Sequence, residues 1–234
     1  MNEIAQGLLA ALHLIVTFDA ELWDISLRSL YVSLSALFIA SLIAMPLGTY
    51  LAVQRFKYRR LVISIINALM GLPPVVVGLM LYILLSRSGP FGVFGLLFTP
   101  WAMIIAQVVI ITPIIASISH QAMRELWAEY HDLLISLNTS KWQRVKTLIW
   151  DGRRNLLTAG LAGFGRGIGE VGAIMIVGGN IDQATRVLTT AIALETGKGD
   201  FALALGLGFV LIGLALMVNI AIHVLSQTER EGRW

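Results

Sequence analysis

The chain has 234 residues, 57% of them hydrophobic and 13% charged, with a mean hydropathy of +0.79. An ordinary soluble domain is about 45–50% apolar and about 25% charged, so the balance marks an integral membrane protein. The absence of cysteine excludes thiol redox chemistry and cysteine-ligated metal sites, and the net charge of +3 matters less than where the charges fall.

The chain begins with an apolar stretch, 4–18, that is too short to span a bilayer. Asn2, Gln6 and His13 fall on one side of a helical wheel, and Ile4, Leu8, Leu12 and Ile15 on another. That pattern predicts a helix lying in the membrane interface, with a tilted sixth span as the alternative. Asn2 and Glu3 stand where a cleavable signal would carry basic residues, so no such signal is expected.

Five later runs reach the roughly 20 apolar residues that a membrane-crossing helix needs. They cover about 27–53, 61–85, 101–119, 156–177 and 201–225. The sequence therefore predicts one transmembrane domain over 1–234: an interfacial helix at 1–20 and a five-helix core at 27–225, with a cytoplasmic segment at about 121–150. Lys/Arg placement sets the orientation. With the N-terminus outside, the inner segments collect Arg55, Lys57, Arg59, Arg60, Arg124, Lys141, Arg144, Lys146, Arg153, Arg154, Arg230 and Arg233. The outer segments hold only Arg28, Arg87, Arg186 and Lys198. The C-terminus is then cytoplasmic. Five helices enclose little transport volume by themselves, which suggests an assembly.

Pro73 and Pro74 fall inside the second run, where proline removes a backbone hydrogen bond and kinks a helix. The kink either serves packing or shapes a path. Pro113 in the third run reads the same way.

The segment after the third run is polar and amphipathic. Leu126, Tyr130, Leu133, Leu134 and Leu137 recur at helical spacing as one apolar stripe. Asn138-Thr139-Ser140 interrupts it; Asn tolerates the left-handed position that ends a helix, and Ser140 with Gln143 forms a capping box that opens another. Trp142, Val145, Leu148 and Ile149 give the second helix an apolar face. The result is a helix–bend–helix rimmed by Glu129, Asp132, Lys141 and Arg144. It either rests on the membrane surface or docks a soluble partner.

The fourth run crowds Gly160, Gly163, Gly165, Gly167, Gly169 and Gly172 onto what reads as one helix, with small-xxx-small pairs that let helices approach closely. Gly167-Ile168-Gly169-Glu170-Val171-Gly172 also fits a dinucleotide fingerprint, but it lies inside an apolar span with no strand before it. Arg166 and Glu170 stand four apart. Charges at membrane depth face a bundle interior or a water-filled cavity; here they either hold the helix by pairing or let Arg166 meet a passing anion. Beyond it, 183–199 carries Val187, Ala191 and Leu194 at helical spacing and predicts a short outer helix. No phosphate loop, H-E-x-x-H or catalytic cluster occurs, so no enzymatic activity, cofactor, metal or nucleic-acid partner is expected.

The cytoplasmic segment resembles the coupling loop of permease subunits of bacterial ABC importers, which reads Glu-Ala-Ala, three residues, Gly, with a later proline. Asp132 stands at the Glu position, Leu133 and Leu134 at the alanines, Asn138 at the glycine and Ile149 at the proline. The stretch from Gly163 through Gly165-Arg166-Gly167-Ile168-Gly169-Glu170-Val171-Gly172-Ala173 resembles Arg-Ala-Leu-Gly-Glu-Phe-Gly-Ala of molybdate and tungstate permeases. Met-Ile-Val-Gly-Gly-Asn-Ile at 175–181, Thr185-Arg186-Val187-Leu188-Thr189, Gly71-Leu72-Pro73-Pro74-Val75-Val76-Val77-Gly78-Leu79 and Ser88-Gly89-Pro90 are similar as well. Glu21-Leu22-Trp23 looks more like the tungstate branch.

The resemblance covers nearly the whole chain. It implies an all-α integral membrane protein with the ABC importer permease (MetI/ModB-like) fold, in the cell membrane. It further implies an oxyanion path, for tungstate first and molybdate next, formed by two copies of the chain. A cytoplasmic ABC ATPase dimer would carry ATP and Mg, and an extracytoplasmic oxyanion-binding protein would deliver the anion. Glu129, Asp132, Leu133, Leu134, Leu137, Asn138, Thr139, Ser140, Lys141 and Arg144 would then couple to the ATPase. Arg166, Gly169, Glu170, Pro73 and Pro74 would line or gate the path. Arg186, Thr189 and Glu195 would meet the binding protein. A stand-alone anion carrier or channel is the rival reading, as is a membrane enzyme.

Overall fold

The computed structural model describes residues 20–231 and, before them, Ala5, Leu9, Leu12, His13, Val16 and Thr17; side chains are described as far as Ile220. The interfacial helix expected over 4–18 thus lies largely outside the described residues. Among the described residues there are nine α-helices and one short 3-10 turn, with no strand. The helices are α1 (Ala20–Val53), α2 (Arg59–Leu69), α3 (Pro74–Leu85), α4 (Pro100–Ser136), α5 (Lys141–Asp151), α6 (Arg153–Ile168), α7 (Gly172–Gly178), α8 (Leu188–Lys198) and α9 (Phe201–Glu231).

Three of them, α1, α4 and α9, are long and apolar enough to cross a membrane alone. The pairs α2–α3 and α6–α7 are long and apolar enough only when taken together, each as a broken span or a re-entrant loop, so the candidate spans number three to five. Two expectations change here. Pro73 and Pro74 do not kink a continuous helix: Pro73 is the N-cap of α3 and Pro74 its first residue. Proline suits that position because its φ is already helical and the N–H it lacks would have no helical acceptor. The glycine-rich span is likewise two helices, separated at Gly169–Glu170–Val171. Pro113, by contrast, sits inside an unbroken α4.

The third span and the first arm of the polar segment are one helix of 37 residues, α4. At about 1.5 Å per residue it is about 55 Å long, against roughly 30 Å of hydrocarbon. Part of α4 therefore projects well beyond the bilayer.

The chain divides into two compact units. The first comprises Met1–Ala36, Pro73–Gln107 and Gly167–Ala221; the second comprises Leu37–Leu72, Val108–Arg166 and Ile222–Trp234. In the first unit, Leu22 and Ile25 of α1 pack with Leu188 and Ala191 of α8 and Leu207 of α9. The loop before α8 is pinned by Arg28, which donates to the carbonyls of Arg186 (3.1 Å) and Gln183 (2.9 Å). In the second unit, Ala52, Val53, Met123, Leu134, Val145, Leu148 and Leu156 form one buried cluster. Gly48 lets α1 approach α4: a Cβ there would stand 2.6 Å from the Ala116 carbonyl oxygen. Arg59 has a local task beyond setting topology. Its Nε donates to the Leu51 carbonyl at 2.6 Å, satisfying a last-turn acceptor of α1 with a cation at the negative end of the helix dipole.

Candidate functional site

The polar segment folds as the sequence predicts. α4 ends at Ser136, Asn138 takes φ +49°, and the chain reverses within three residues. Leu137, Asn138 and Thr139 donate their amides back to Leu133, Ile135 and Leu134. Ser140 then caps α5: its hydroxyl accepts from the Gln143 amide (3.3 Å), and the Gln143 side chain accepts from the Ser140 amide (2.7 Å). Thr139 and Arg144 tie the bend together. The Thr139 hydroxyl donates to the Leu134 carbonyl (2.6 Å) and accepts from Arg144 Nε (3.2 Å).

The apolar stripe read from the sequence splits in two. Leu134 is buried, and Leu126 and Tyr130 pack around the same cluster. Leu133 and Leu137 are 55% and 65% exposed. On α5, Val145 and Leu148 are buried while Trp142 is 74% exposed. The bend thus presents Leu133, Leu137 and Trp142 outward beside exposed Glu129, Asp132 and Lys141. Asp132 Oδ1 lies 2.8 Å from His131 Nδ1 and is open to solvent. The far end of the arm is fixed at Gly152, where a Cβ would meet the Met123 methyl at 2.4 Å.

The second set of candidate residues divides between the units: Arg166 belongs to the second, and Pro73, Pro74, Gly169 and Glu170 to the first. Arg166 is half-buried in the last turn of α6, where a cation suits the helix dipole. Glu170 is 4% exposed, but it is not on that helix, which ends two residues before it. It forms the break itself. The Gly167 carbonyl accepts from the Glu170 amide (3.1 Å), closing a tight turn. Glu170 Oε1 accepts from the Ala173 amide (3.3 Å), serving a first-turn N–H of α7. The Glu170 carbonyl accepts from the Thr189 hydroxyl (3.0 Å). Interrupted backbone at membrane depth needs partners of this kind.

The structure brings this break beside the proline break. α7 packs on α3 so closely that a Cβ on Gly172 would meet Val75 Cγ2 at 2.7 Å, and one on Gly78 would meet Ala173 Cα at 2.7 Å. Pro73, Pro74, Gly169 and Glu170 therefore belong to one locale. Pro73 and Gly169 are exposed there, together with Val75, Val76 and Leu79.

Thr189 is buried and its hydroxyl is spent on Glu170. Arg186 pairs with Asp182 (3.0 Å) and Glu21 (3.6 Å), and its own carbonyl holds Arg28. Glu195 accepts from Lys198 (2.8 Å) near the exposed end of α8. Sequence reading missed Gln107 altogether. It is 1% exposed on α4 and donates Nε2 to the Gly167 carbonyl at 2.9 Å. An amide inside an otherwise apolar run was the available signal, because such a group must find a partner.

Residues 44–230 match the family described as binding-protein-dependent transport system inner membrane component. The chain is 37% identical over 227 residues to the tungstate uptake system permease protein TupB of Peptoclostridium acidaminophilum, covering 97% of this chain and 100% of that one. It is 40% identical over 173 residues to the protein of the same description in Campylobacter jejuni, covering 74% and 72%. It is 38% identical over 201 residues to a probable anion ABC transporter permease protein of Haloferax volcanii, covering 84% and 87%.

Proposed function

Because the chain belongs to the family of binding-protein-dependent transport system inner membrane components, we propose that it is the permease subunit of an ATP-driven importer whose cargo is tungstate. Two copies stand together and line the path between them. A separate cytoplasmic ATPase dimer binds ATP and Mg, and an extracytoplasmic binding protein delivers the anion. The N-terminus lies outside and the C-terminus in the cytoplasm.

The observation that carries this reading is the helix–bend–helix handle built on an unbroken α4. One rigid element runs from the bilayer into water and ends in a tightly hydrogen-bonded bend. Its tip exposes apolar Leu133 and Leu137 beside charged Glu129 and Asp132, while Trp142 lies near Tyr50. An apolar centre with a polar rim is the make-up of a protein–protein contact. Leu134, Thr139, Ser140 and Arg144 shape the bend from inside, while Asp132, Asn138 and Lys141 meet the ATPase at its surface. ATP-driven movement of the handle is carried along α4 by a rigid-body shift of packed helices.

The path follows the exposed face of the two breaks, with Pro73, Pro74 and Gly169 at its wall and the buried Glu170 behind them. Arg166, in the last turn of α6, is the cation that meets the anion. Outside, the binding protein meets the exposed end of α8 at Thr196–Lys198, which Glu195 braces through Lys198. Arg186 and Thr189 position that helix from behind. Tagged chain purified from its native membrane is expected to carry an ATPase with it, and Arg166→Ala is expected to lower anion uptake more than complex assembly. Anion transport by this chain with no ATPase present would replace the importer with a stand-alone carrier.

A further inference from the structure

Gln107 has one end accounted for and one end open. Its Nε2 donates to the Gly167 carbonyl (2.9 Å) and lies 3.4 Å from the Ser33 hydroxyl. Those partners fix the orientation of the amide, since a flipped group would set oxygen against the carbonyl oxygen of Gly167. Gln107 Oε1 is buried and has no hydrogen-bond partner among the described residues. Beside it lies a small cavity walled by Ser29, Val32, Ser33, Gln107, Ile168 and Thr189, among others. It has about 10 Å³ of room for the centre of a water-sized sphere, roughly what one water molecule requires. A tetrahedral oxyanion or any organic ligand is far too large for it.

We propose that this cavity is a binding site for a single internal water, and that Gln107 with this water is the positioning device of the broken span. The donor and acceptor count supports a water over an apolar void. The Ser29 hydroxyl donates to the Ile25 carbonyl (2.9 Å) and accepts from the Leu188 amide (2.7 Å). The Thr189 hydroxyl donates to the Glu170 carbonyl. Both retain acceptor capacity, and the Ser33 hydroxyl retains its proton. A water here donates to Gln107 Oε1 and to Thr189 or Ser29, and accepts from Ser33. It thereby satisfies a buried acceptor whose desolvation is otherwise uncompensated.

The consequence is local. The turn from Gly167 to Glu170 is held at its first carbonyl by Gln107 and at its last by Thr189, and the water joins the two holders. Glu170 owes its position to that cluster.

Two measurements test this on the full chain in lipid nanodiscs. The first is a map of the wild-type protein fine enough to show ordered waters; it is expected to show one density peak within hydrogen-bond distance of Gln107 Oε1. The second is amide exchange in Gln107→Met, which keeps the length of the side chain and removes its polar atoms. The amides of Gly169–Ala173 are expected to exchange about 10-fold faster, with the exchange of α9 unchanged and only a modest drop in melting temperature. A dry cavity in the map, or unchanged exchange at the break, overturns the proposal. So does a loss of protection spread evenly over the chain, which marks a general packing role. If Gln107→Met does not fold, the wild-type map alone decides.

Discussion

A β-carbon built on Gly78 would lie 2.7 Å from Cα of Ala173. The backbones of α3 and α7 therefore touch, with no side chain between them. Both helices are the second members of bent helix pairs, and both begin at a break. Close approach through glycine is the main way helices gain van der Waals contact in lipid, where burial of apolar surface gives no driving force. This contact sets the proline break beside the Glu170 turn, so the two interruptions act as one locale.

Gly78→Val should separate α3 from α7. Overpacking of this kind costs about 1–3 kcal/mol, read as a lower melting temperature of the purified chain. Gly71→Ala is the control: its Cβ would meet only the Ala68 carbonyl oxygen at 3.6 Å, an ordinary contact, and the melting temperature should stay within error.

At the bend, Asn138→Gly should be tolerated and Asn138→Val should not. The φ of +49° costs a side-chain-bearing residue about 1–2 kcal/mol, most for a β-branched one. Capture of the ATPase by the valine variant should fall while that by the glycine variant holds. Ser140→Ala, which removes the cap of α5, should cost about 1 kcal/mol.

Adjacent leucines separate docking from folding. Leu137→Ser alters an exposed side chain and should weaken ATPase capture at least about 10-fold with an unchanged melting temperature. Leu134→Ser alters a buried one and should destabilise the chain by about 2–5 kcal/mol, as large-to-small core changes do. Asp132→Lys should behave as Leu137→Ser does.

Thr189→Val keeps shape and removes the donor to the Glu170 carbonyl. Hydrogen bonds between helices in lipid are worth about 0.6–2 kcal/mol, so a modest drop in melting temperature is expected. Uptake should fall further than stability, because Glu170 is displaced. Equal loss of both would make Thr189 a packing residue only.

The handle was legible because its signals are local. Asn138, Ser140 and Gln143 act within a few residues of one another, and the structure realises each of their bonds. Which leucine faces inward was not legible, since Leu133 and Leu134 are neighbours on one wide stripe and only the partner cluster around Met123 and Val145 selects between them. The break at Glu170 was also invisible. A glycine-rich apolar run reads as helix, and the groups that satisfy its interruption, Gln107 and Thr189, come from distant parts of the chain. Pro73 and Pro74 were read as a kink because proline signals interruption without saying whether a new helix starts there.

The proposed role of this chain requires ATP-coupled uptake. The measurement is tungstate accumulation in proteoliposomes holding this chain with its ATPase, with binding protein on the outer side and ATP on the cytoplasmic side, and molybdate and sulfate as competitors. If the chain is the permease of such an importer, accumulation runs against a gradient, needs all three proteins and ATP hydrolysis, is competed less well by molybdate or sulfate than by unlabelled tungstate, and is lost with Asn138→Val. Tungstate movement through this chain alone, unaffected by ATP or by the ATPase, would contradict it.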